Sequence, residues 1–342
     1  MTNMRLALIY SGEHDTLPKA ETRGILEGEL LQYKVLEEYP QAMVIEAPEQ
    51  AVSRLASRSA MLKTILKHIA TLEAKQPHQV KELISTLNIP IGAKTFRVRV
   101  RRGRNPPSVS ATELERRIGE LIKIQNPSSK ADLKNPQVEI QGYLTSSKLI
   151  VGQLLASIKR GSFKARQQAM KAIYKPGSMN PITARVLINL SRVKPGETLL
   201  DPFCGPGGIL VEAALIGAKA IGSDIDFLVV EEARQNLALY GIEAKIEVAD
   251  ARSLPYQNTI DAIATDPPYG RMAQPKAANT PRKLVEEFIE KALSYLKPGH
   301  HLALSYSSNL SEKIEQAGFK LIEVHKQRVH KSLTRYIHIA KA

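Results

Sequence analysis

TLLDPFCGPGG, residues 198–208, decides how the second half of the chain folds. Thr198 to Leu200 reads as a short strand, Asp201 to Gly208 as a glycine-rich turn, and the residues beyond as a helix. Strand, glycine turn and helix make a nucleotide-binding arrangement, in which glycines let the backbone approach a ligand closely. No Gly-Lys-Ser/Thr follows, so this is not a phosphate loop. Asp201 also sits where a pyrophosphate would be repelled, which departs from the dinucleotide fingerprint. An acid at this point favours a cation, such as the ammonium of an amino acid.

Downstream, strands and helices alternate: strand 220–223, helix 227–240, strand 245–247, strand 260–264, helix 282–296 and strand 301–306. Such alternation implies a parallel sheet in an α/β domain. The strand ends again carry acids. Ile221 to Ser223 runs into Asp224-Ile225-Asp226, where a carboxylate can bond both hydroxyls of a ribose. The next strand leads to Asp250-Ala251, placed to hold an adenine amino group. Asp201, Asp224 and Asp250, each taken alone, read nearly as well as helix caps or turn formers. Together, on consecutive loops, they specify S-adenosylmethionine as cofactor. The residues assigned to it are Asp201, Cys204, Gly205, Gly207, Asp224, Ile225, Asp250, Ala251 and Asp266. Cys204 reads as a small packing residue of the turn, not a nucleophile.

The strand 260–264 ends in Thr265-Asp266-Pro267-Pro268-Tyr269-Gly270. Neither proline donates a ladder hydrogen bond, so the strand stops and a stiff loop follows. Open α/β sheets bind ligands at this carboxyl edge. The Asp266 carboxylate and a proline carbonyl can accept from an NH2 group, and the Tyr269 ring can stack on a flat heterocycle. Asp266, Pro267, Pro268 and Tyr269 are therefore the expected catalytic loop, presenting a nucleobase amine to an electrophile. Two further strand-like segments, 320–328 and 334–340, suit an antiparallel hairpin at the sheet edge.

The 342-residue chain has an unusual charge distribution. Its net charge is +14, and no acid lies between Glu82 and Glu113 or between Glu139 and Glu197. Long acid-free basic stretches are the electrostatic footprint of a polyanion, here nucleic acid, weighed against a merely solvated surface. Arg97, Arg99, Arg101, Arg102 and Arg104 come from the first stretch, and Lys159, Arg160, Lys164 and Arg166 from the second. In KTFRVRVR, residues 94–101, Phe96, Val98 and Val100 point to one face and the arginines to the other. Ser110-Ala-Thr-Glu113 opens a helix with a capping-box pattern.

Residues 4–10 read as a strand, 21–33 as a helix with Leu26, Leu30 and Leu31 on one face, 42–47 as a strand, and 48–67 as a helical stretch. Segments 138–143 and 148–155 pair as a hairpin. The expected domains are 1–54, a small α/β unit; 55–155, RNA-binding; 156–177, a basic linker; and 178–342, the catalytic α/β domain. A fragment starting near Pro181 is expected to retain cofactor binding. There is no run of about 18 apolar residues, residues 1–10 are too short for a signal peptide, and a single cysteine allows no internal disulfide. The expected setting is the cytoplasm. The histidines show no metal-ligand spacing, so no metal is expected.

DPFCGPGG, GSDID, VADAR and TDPPYG, in that order, resemble the S-adenosylmethionine-dependent methyltransferases of exocyclic amines. TFRVRVRRGR with the ATELERRIGELI helix resembles a THUMP RNA-binding domain, and the residues before it resemble the ferredoxin-like domain that accompanies THUMP. KPGSMNPITARVLINLSRV resembles the segment that helps close the cofactor site, and HKSLTR is similar to a C-terminal stretch of the same group. The whole is most similar to archaeal tRNA guanosine N2-methyltransferases acting at position ten. That resemblance implies a Rossmann-like domain, tRNA as substrate, Asp266 orienting the guanine amine and Tyr269 contacting the base. One departure is the arginine content of the THUMP strand, higher than its alternation needs. The number of methyls added and a small activator protein stay open. Competing readings are another RNA or DNA amino-methyltransferase, a protein-glutamine methyltransferase, whose motif favours Asn at Asp266, and a non-enzymatic RNA-binding protein.

Overall fold

The computed structural model describes residues 3–171, 179–269, 280–330 and 333–342. Among them the strands are β1 (Asn3–Tyr10), β2 (Lys34–Tyr39), β3 (Ala42–Pro48), β4 (Leu62–Glu73), β5 (Thr95–Arg102), β6 (Lys130–Ala131), β7 (Val138–Leu144), β8 (Lys148–Ser157), β9 (Thr198–Asp201), β10 (Lys219–Asp224), β11 (Lys245–Val248), β12 (Ile260–Thr265), β13 (Leu296–Tyr306), β14 (Lys320–His330) and β15 (Leu333–Lys341). The helices are α1 (Leu17–Gly28), α2 (Gln50–Arg58), α3 (Pro77–Ile84), α4 (Ala111–Gln125), α5 (Gly161–Lys171), α6 (Pro181–Leu190), α7 (Gly208–Leu215), α8 (Phe227–Leu239), α9 (Pro281–Tyr295) and α10 (Ser311–Gln316). No helix among the described residues is long and apolar enough to cross a membrane.

Two compact units result. The first comprises Met1–Lys19, Leu31–Ser57 and Met61–Lys159, and the second Ala20–Leu30, Arg58–Ala60 and Arg160–Ala342.

The first unit is one continuous eight-stranded sheet, in the order β2-β3-β1-β4-β8-β7-β5-β6. The element order β1-α1-β2-β3-α2-β4 and strand order β4-β1-β3-β2 are ferredoxin-like. β4 then pairs with β8 on its other side. Residues 54 and 55, where the sequence suggests a domain boundary, both lie inside α2, and the ferredoxin-like strand set closes only with β4. Several local expectations are corrected. α1 ends at Gly28, and Leu30 adopts a left-handed φ of 55° with 72% exposure instead of joining an apolar face. The stretch 48–67 is helical only to Arg58 and continues as strand β4. β2, KVLEEY, was not expected, because it offers little apolar alternation.

The hairpin of β7 and β8 and the arginine-bearing β5 form as expected. β5 pairs with β7 in parallel from Phe96↔Val138 to Arg102↔Leu144. Phe96, Val98 and Val100 are buried with Leu114, Ile118 and Ile122 of α4 in one core. Each such side chain, fully buried, stabilises by about 1.5–3 kcal/mol. The Ser110 side chain caps α4 by accepting from the Glu113 backbone N–H.

The second unit carries a seven-stranded sheet ordered β11-β10-β9-β12-β13-β15-β14. β9 to β13 are mutually parallel, and β15 is antiparallel to both its neighbours. The C-terminal hairpin therefore inserts β15 inside the sheet and leaves β14 at the edge. Phe288, Ile289 and Ala292 of α9 pack on Ile263 of β12 and on Leu302 and Leu304 of β13 in one core. A basic linker was expected over 156–177. β8 instead runs to Ser157 and α5 covers Gly161–Lys171, while residues 172–177 lie outside the described set.

A polar network ties early residues into this second unit. Arg58 is 3% exposed and donates to Glu29 Oε1 (2.8 Å), Asn189 Oδ1 (3.2 Å) and the Val193 carbonyl (2.7 Å). Asn189, fully buried on α6, donates to Glu21 Oε1 at 2.9 Å. Glu21 also accepts from Ser59 Oγ (2.6 Å) and the Ala60 N–H (2.8 Å). The unit thus needs residues 20–30 and 58–60, and a fragment from Pro181 lacks both.

Candidate active site

The parallel order β11-β10-β9-β12 sets four strand ends side by side along one edge. Asp250, Asp224, Asp201 and Asp266 follow one another there, and successive strands are added in one direction from β9 to β11 and in the other from β12 onward. This is the switch point at which open α/β sheets bind ligands.

Asp201 ends β9 and is 1% exposed. Its Oδ1 accepts from Thr265 Oγ at 2.7 Å and from the Phe203 N–H at 3.3 Å. Burial pushes its carboxyl up to about 7, with repulsion from Asp266 and Asp224 adding to the shift. Between Asp201 and α7 the turn is left-handed at Gly205 (φ 51°) and Gly207 (φ 88°), which L side chains rarely adopt. A Cβ on Gly205 would meet nothing within 4 Å, so the space beside the turn is open. Cys204 is buried, its N–H donates to the Ser223 carbonyl at 2.9 Å, and burial raises its thiol, which makes it a packing residue.

Asp224 ends β10. Its two oxygens accept from the Gly205 N–H (3.1 Å) and the Asp226 N–H (3.0 Å), and burial raises its carboxyl. Asp226 caps α8 through the Leu228 N–H. Ile225 is 42% exposed and offers an apolar surface beside Asp224. Asp250 differs from the others. Arg252 grips it through Nε (2.9 Å) and Nη2 (2.6 Å), reaches Glu287 with Nη1, and holds the Asp250 carboxyl below the usual range. Ala251 is buried, and its carbonyl accepts from Tyr295 Oη at 3.1 Å, which pins the loop to α9.

Asp266 follows β12, with its side chain 12% exposed. Oδ1 accepts from Ser305 Oγ of β13 at 2.7 Å. Oδ2 lies 3.4 Å from both Tyr269 Oη and Arg335 Nη2 of β15. Burial raises the Asp266 carboxyl, against the pull of Arg335 and Ser305. Tyr269 accepts from Arg335 Nε at 2.7 Å and meets Tyr306 edge to face at 6.0 Å. Its phenol is pushed up to about 12, by burial and then by Asp266. Pro267 is buried and Pro268 half-buried, and Gly270 lies outside the described residues. Thr265, Ser305, Arg252 and Arg335 were missed from the sequence, although Arg335 ends the quoted HKSLTR.

The arginines are placed less uniformly. Arg97 is paired with Glu139, Arg102 donates to the Pro107 and Val109 carbonyls, and Arg104 holds Asp15 (2.7 Å) and the Gly12 carbonyl (2.6 Å). Arg166 donates to both oxygens of Glu212, sharing Oε2 with Arg185, and its guanidinium lies 4.6 Å from the Phe163 ring centroid. Arg160 is half-buried. Arg99, Arg101, Lys159 and Lys164 stand exposed, Arg99 3.8 Å from Glu115. Among the described residues no group of three or more His, Cys, Asp or Glu side chains is placed to hold a metal.

Two family descriptions match the chain: an RMKL-like methyltransferase domain over residues 168–337 and a THUMP domain over 77–152. The tRNA (guanine(10)-N2)-dimethyltransferase of Methanothermobacter thermautotrophicus is 36% identical, over 98% of this chain and 99% of that protein. The protein of the same description from Methanocaldococcus jannaschii is 26% identical over 98% and 99%. The solved structure of TrmN from Thermus thermophilus shares the fold, with a TM-score of 0.54 at 22% identity over 99% of both chains.

Proposed function

The chain belongs to the tRNA (guanine(10)-N2)-dimethyltransferase family, and from that premise we infer that it methylates the exocyclic N2 amine of guanosine 10 in tRNA, using S-adenosylmethionine and adding up to two methyls. The observation that carries this reading is the Asp266-Pro-Pro-Tyr269 turn, joined to Asp201 through Thr265 at the switch point of the sheet.

The residues present fit the cofactor. Asp201, buried without a cationic partner among its hydrogen bonds, would oppose an ammonium. The open left-handed turn at Gly205 and Gly207 would admit the ligand, Asp224 would take the ribose hydroxyls, and Ile225 would lie along the adenine. Asp250 serves the adenine end as an anion already shared with Arg252. When bound, S-adenosylmethionine supplies an electrophilic sulfonium methyl. The chain's own part is to present the amine. Asp266 and the Pro267 carbonyl accept from the N2 hydrogens, drawing the nitrogen lone pair out of the guanine ring. Tyr269 stacks on the base, and the methylated amine loses its proton to Asp266 or water. The THUMP-matching region holds tRNA phosphates, with Arg99 and Arg101 facing solvent for that purpose, and Lys159 and Lys164 adding charge.

Labelled S-adenosylmethionine and an unmodified tRNA transcript test this reading. Nucleoside analysis should give N2-methylguanosine and N2,N2-dimethylguanosine, and a transcript with adenosine at position 10 should take no label. Label in N6-methyladenosine, or undiminished label in the substituted transcript, would replace guanosine 10 with another RNA amine.

A further inference from the structure

We propose that Arg335 is the positioning residue of the methyl-transfer loop: one guanidinium that holds the Asp266 carboxylate and the Tyr269 hydroxyl at once, so that acceptor and stacking ring face the base as a single unit. The proposal rests on the functional reading of the Asp266 loop given above.

Arg335 comes from β15, the strand that runs antiparallel inside the sheet, and its side chain is 8% exposed. Nε donates to Tyr269 Oη at 2.7 Å, Nη2 lies 3.4 Å from Asp266 Oδ2, and the guanidinium carbon lies 5.8 Å from the Tyr269 ring centroid. A planar fork can make all three contacts together, whereas an ammonium is a point charge and cannot. Placing a guanidinium in so dry a site is costly without partners, and here its partners are the two groups that would touch the base. Among the described residues, the other groups facing Asp266 supply no cation. Ser305 is neutral, Tyr269 is a phenol held up by burial, and Asp201 is an acid. Tyr306, edge-on to Tyr269, feels Arg282 and Glu286, which oppose each other. Arg335 is thus, among the described residues, the cation that opposes the upward push of burial on the Asp266 carboxyl.

The sign of the pH effect follows. Burial raises the Asp266 carboxyl and Arg335 lowers it, so removing the cation must raise it further. More of the protein would then carry a protonated Asp266 near neutrality. The test is the single-turnover methylation rate against pH, with saturating tRNA and cofactor, for the parent, Arg335→Gln and Arg335→Lys. Arg335→Gln should move the acid limb of the profile up by about one pH unit or more and recover much of its lost rate in alkali. Arg335→Lys, which keeps the charge and loses the fork, should keep the limb in place and fall about tenfold at every pH. S-adenosylmethionine affinity by calorimetry should match the parent for both. An unshifted limb in Arg335→Gln, or an equal shift in Arg335→Lys, overturns the proposal. So does loss of cofactor binding in both variants, which would make Arg335 a structural residue. A parent enzyme that makes no N2-methylguanosine would instead sink the functional reading itself.

Discussion

Asp201 is buried and Asp224 and Asp266 are half-buried at the edge of one sheet, while Arg99 and Arg101 of the other sheet stand in water. The two regions carry opposite charge and are held in opposite ways. Each of these carboxylates is raised by desolvation, which its protein hydrogen bonds and, at Asp266, the Arg335 cation only partly offset. The exposed arginines cost the fold little and attract phosphates through a screened field. A preorganised pocket should therefore be sensitive to single substitutions, and a diffuse basic face should tolerate them.

The largest effect expected is on the integrity of the acidic region. A fragment spanning 181–342 lacks Glu21 and Arg58, the partners of the fully buried Asn189. Each orphaned buried polar group costs about 1–3 kcal/mol, and the facing surface of residues 20–30 is lost as well. The fragment should show no cooperative thermal transition. A sharp transition with parental cofactor affinity would mean that the acidic edge stands without the early residues.

Next comes Asp201→Asn. The folded-state carboxyl of Asp201 is raised to about 7. Its favourable contribution is therefore complete below an unfolded value of about 4 and is lost as pH rises through 7. Asparagine keeps an acceptor for Thr265 but carries no charge to desolvate. Calorimetric melting should show the variant gaining on the parent from pH 5 to pH 8, while S-adenosylmethionine binding weakens by about 1–3 kcal/mol. A melting difference that is flat with pH would remove the buried-charge argument.

The smallest effect belongs to the basic face. Arg101→Ala should lower tRNA affinity only a few-fold and reduce the slope of log affinity against log salt by about one unit. Arg166→Ala, by contrast, removes a partner of the buried Glu212 and should lower the melting temperature. If Arg166→Ala changed tRNA binding alone, the division of the arginines into structural and exposed sets would be wrong.

The sequence made the second sheet legible because its strands are short, apolar and separated by glycines and prolines with few other uses. Every acid-bearing strand end could be located by counting. Arg335 and Ser305 could not, because they reach Asp266 only after β13 and the inserted β15 have formed, 39 and 69 residues further on. Arg252 was visible two residues from Asp250, yet nothing local says that it turns back on it. β4 misled for a different reason. Leu62, Ile65, Leu66, Ile69 and Leu72 follow a helical spacing, but the strand is broken by register shifts at Ile65/Leu66 and His68/Ala70. A bulge changes which face a residue meets, and so it erases the two-residue period.

The central claim is that the Asp266 loop performs the transfer. It is tested most directly by single-turnover methylation of unmodified tRNA by Asp266→Ala, with both ligands saturating. The account predicts a folded protein with near-parental affinity for S-adenosylmethionine and tRNA, and a rate of N2-methylguanosine formation lower by about two orders of magnitude or more. A folded Asp266→Ala protein that forms N2-methylguanosine at close to the parental rate would contradict it and reduce the loop to a rigid turn.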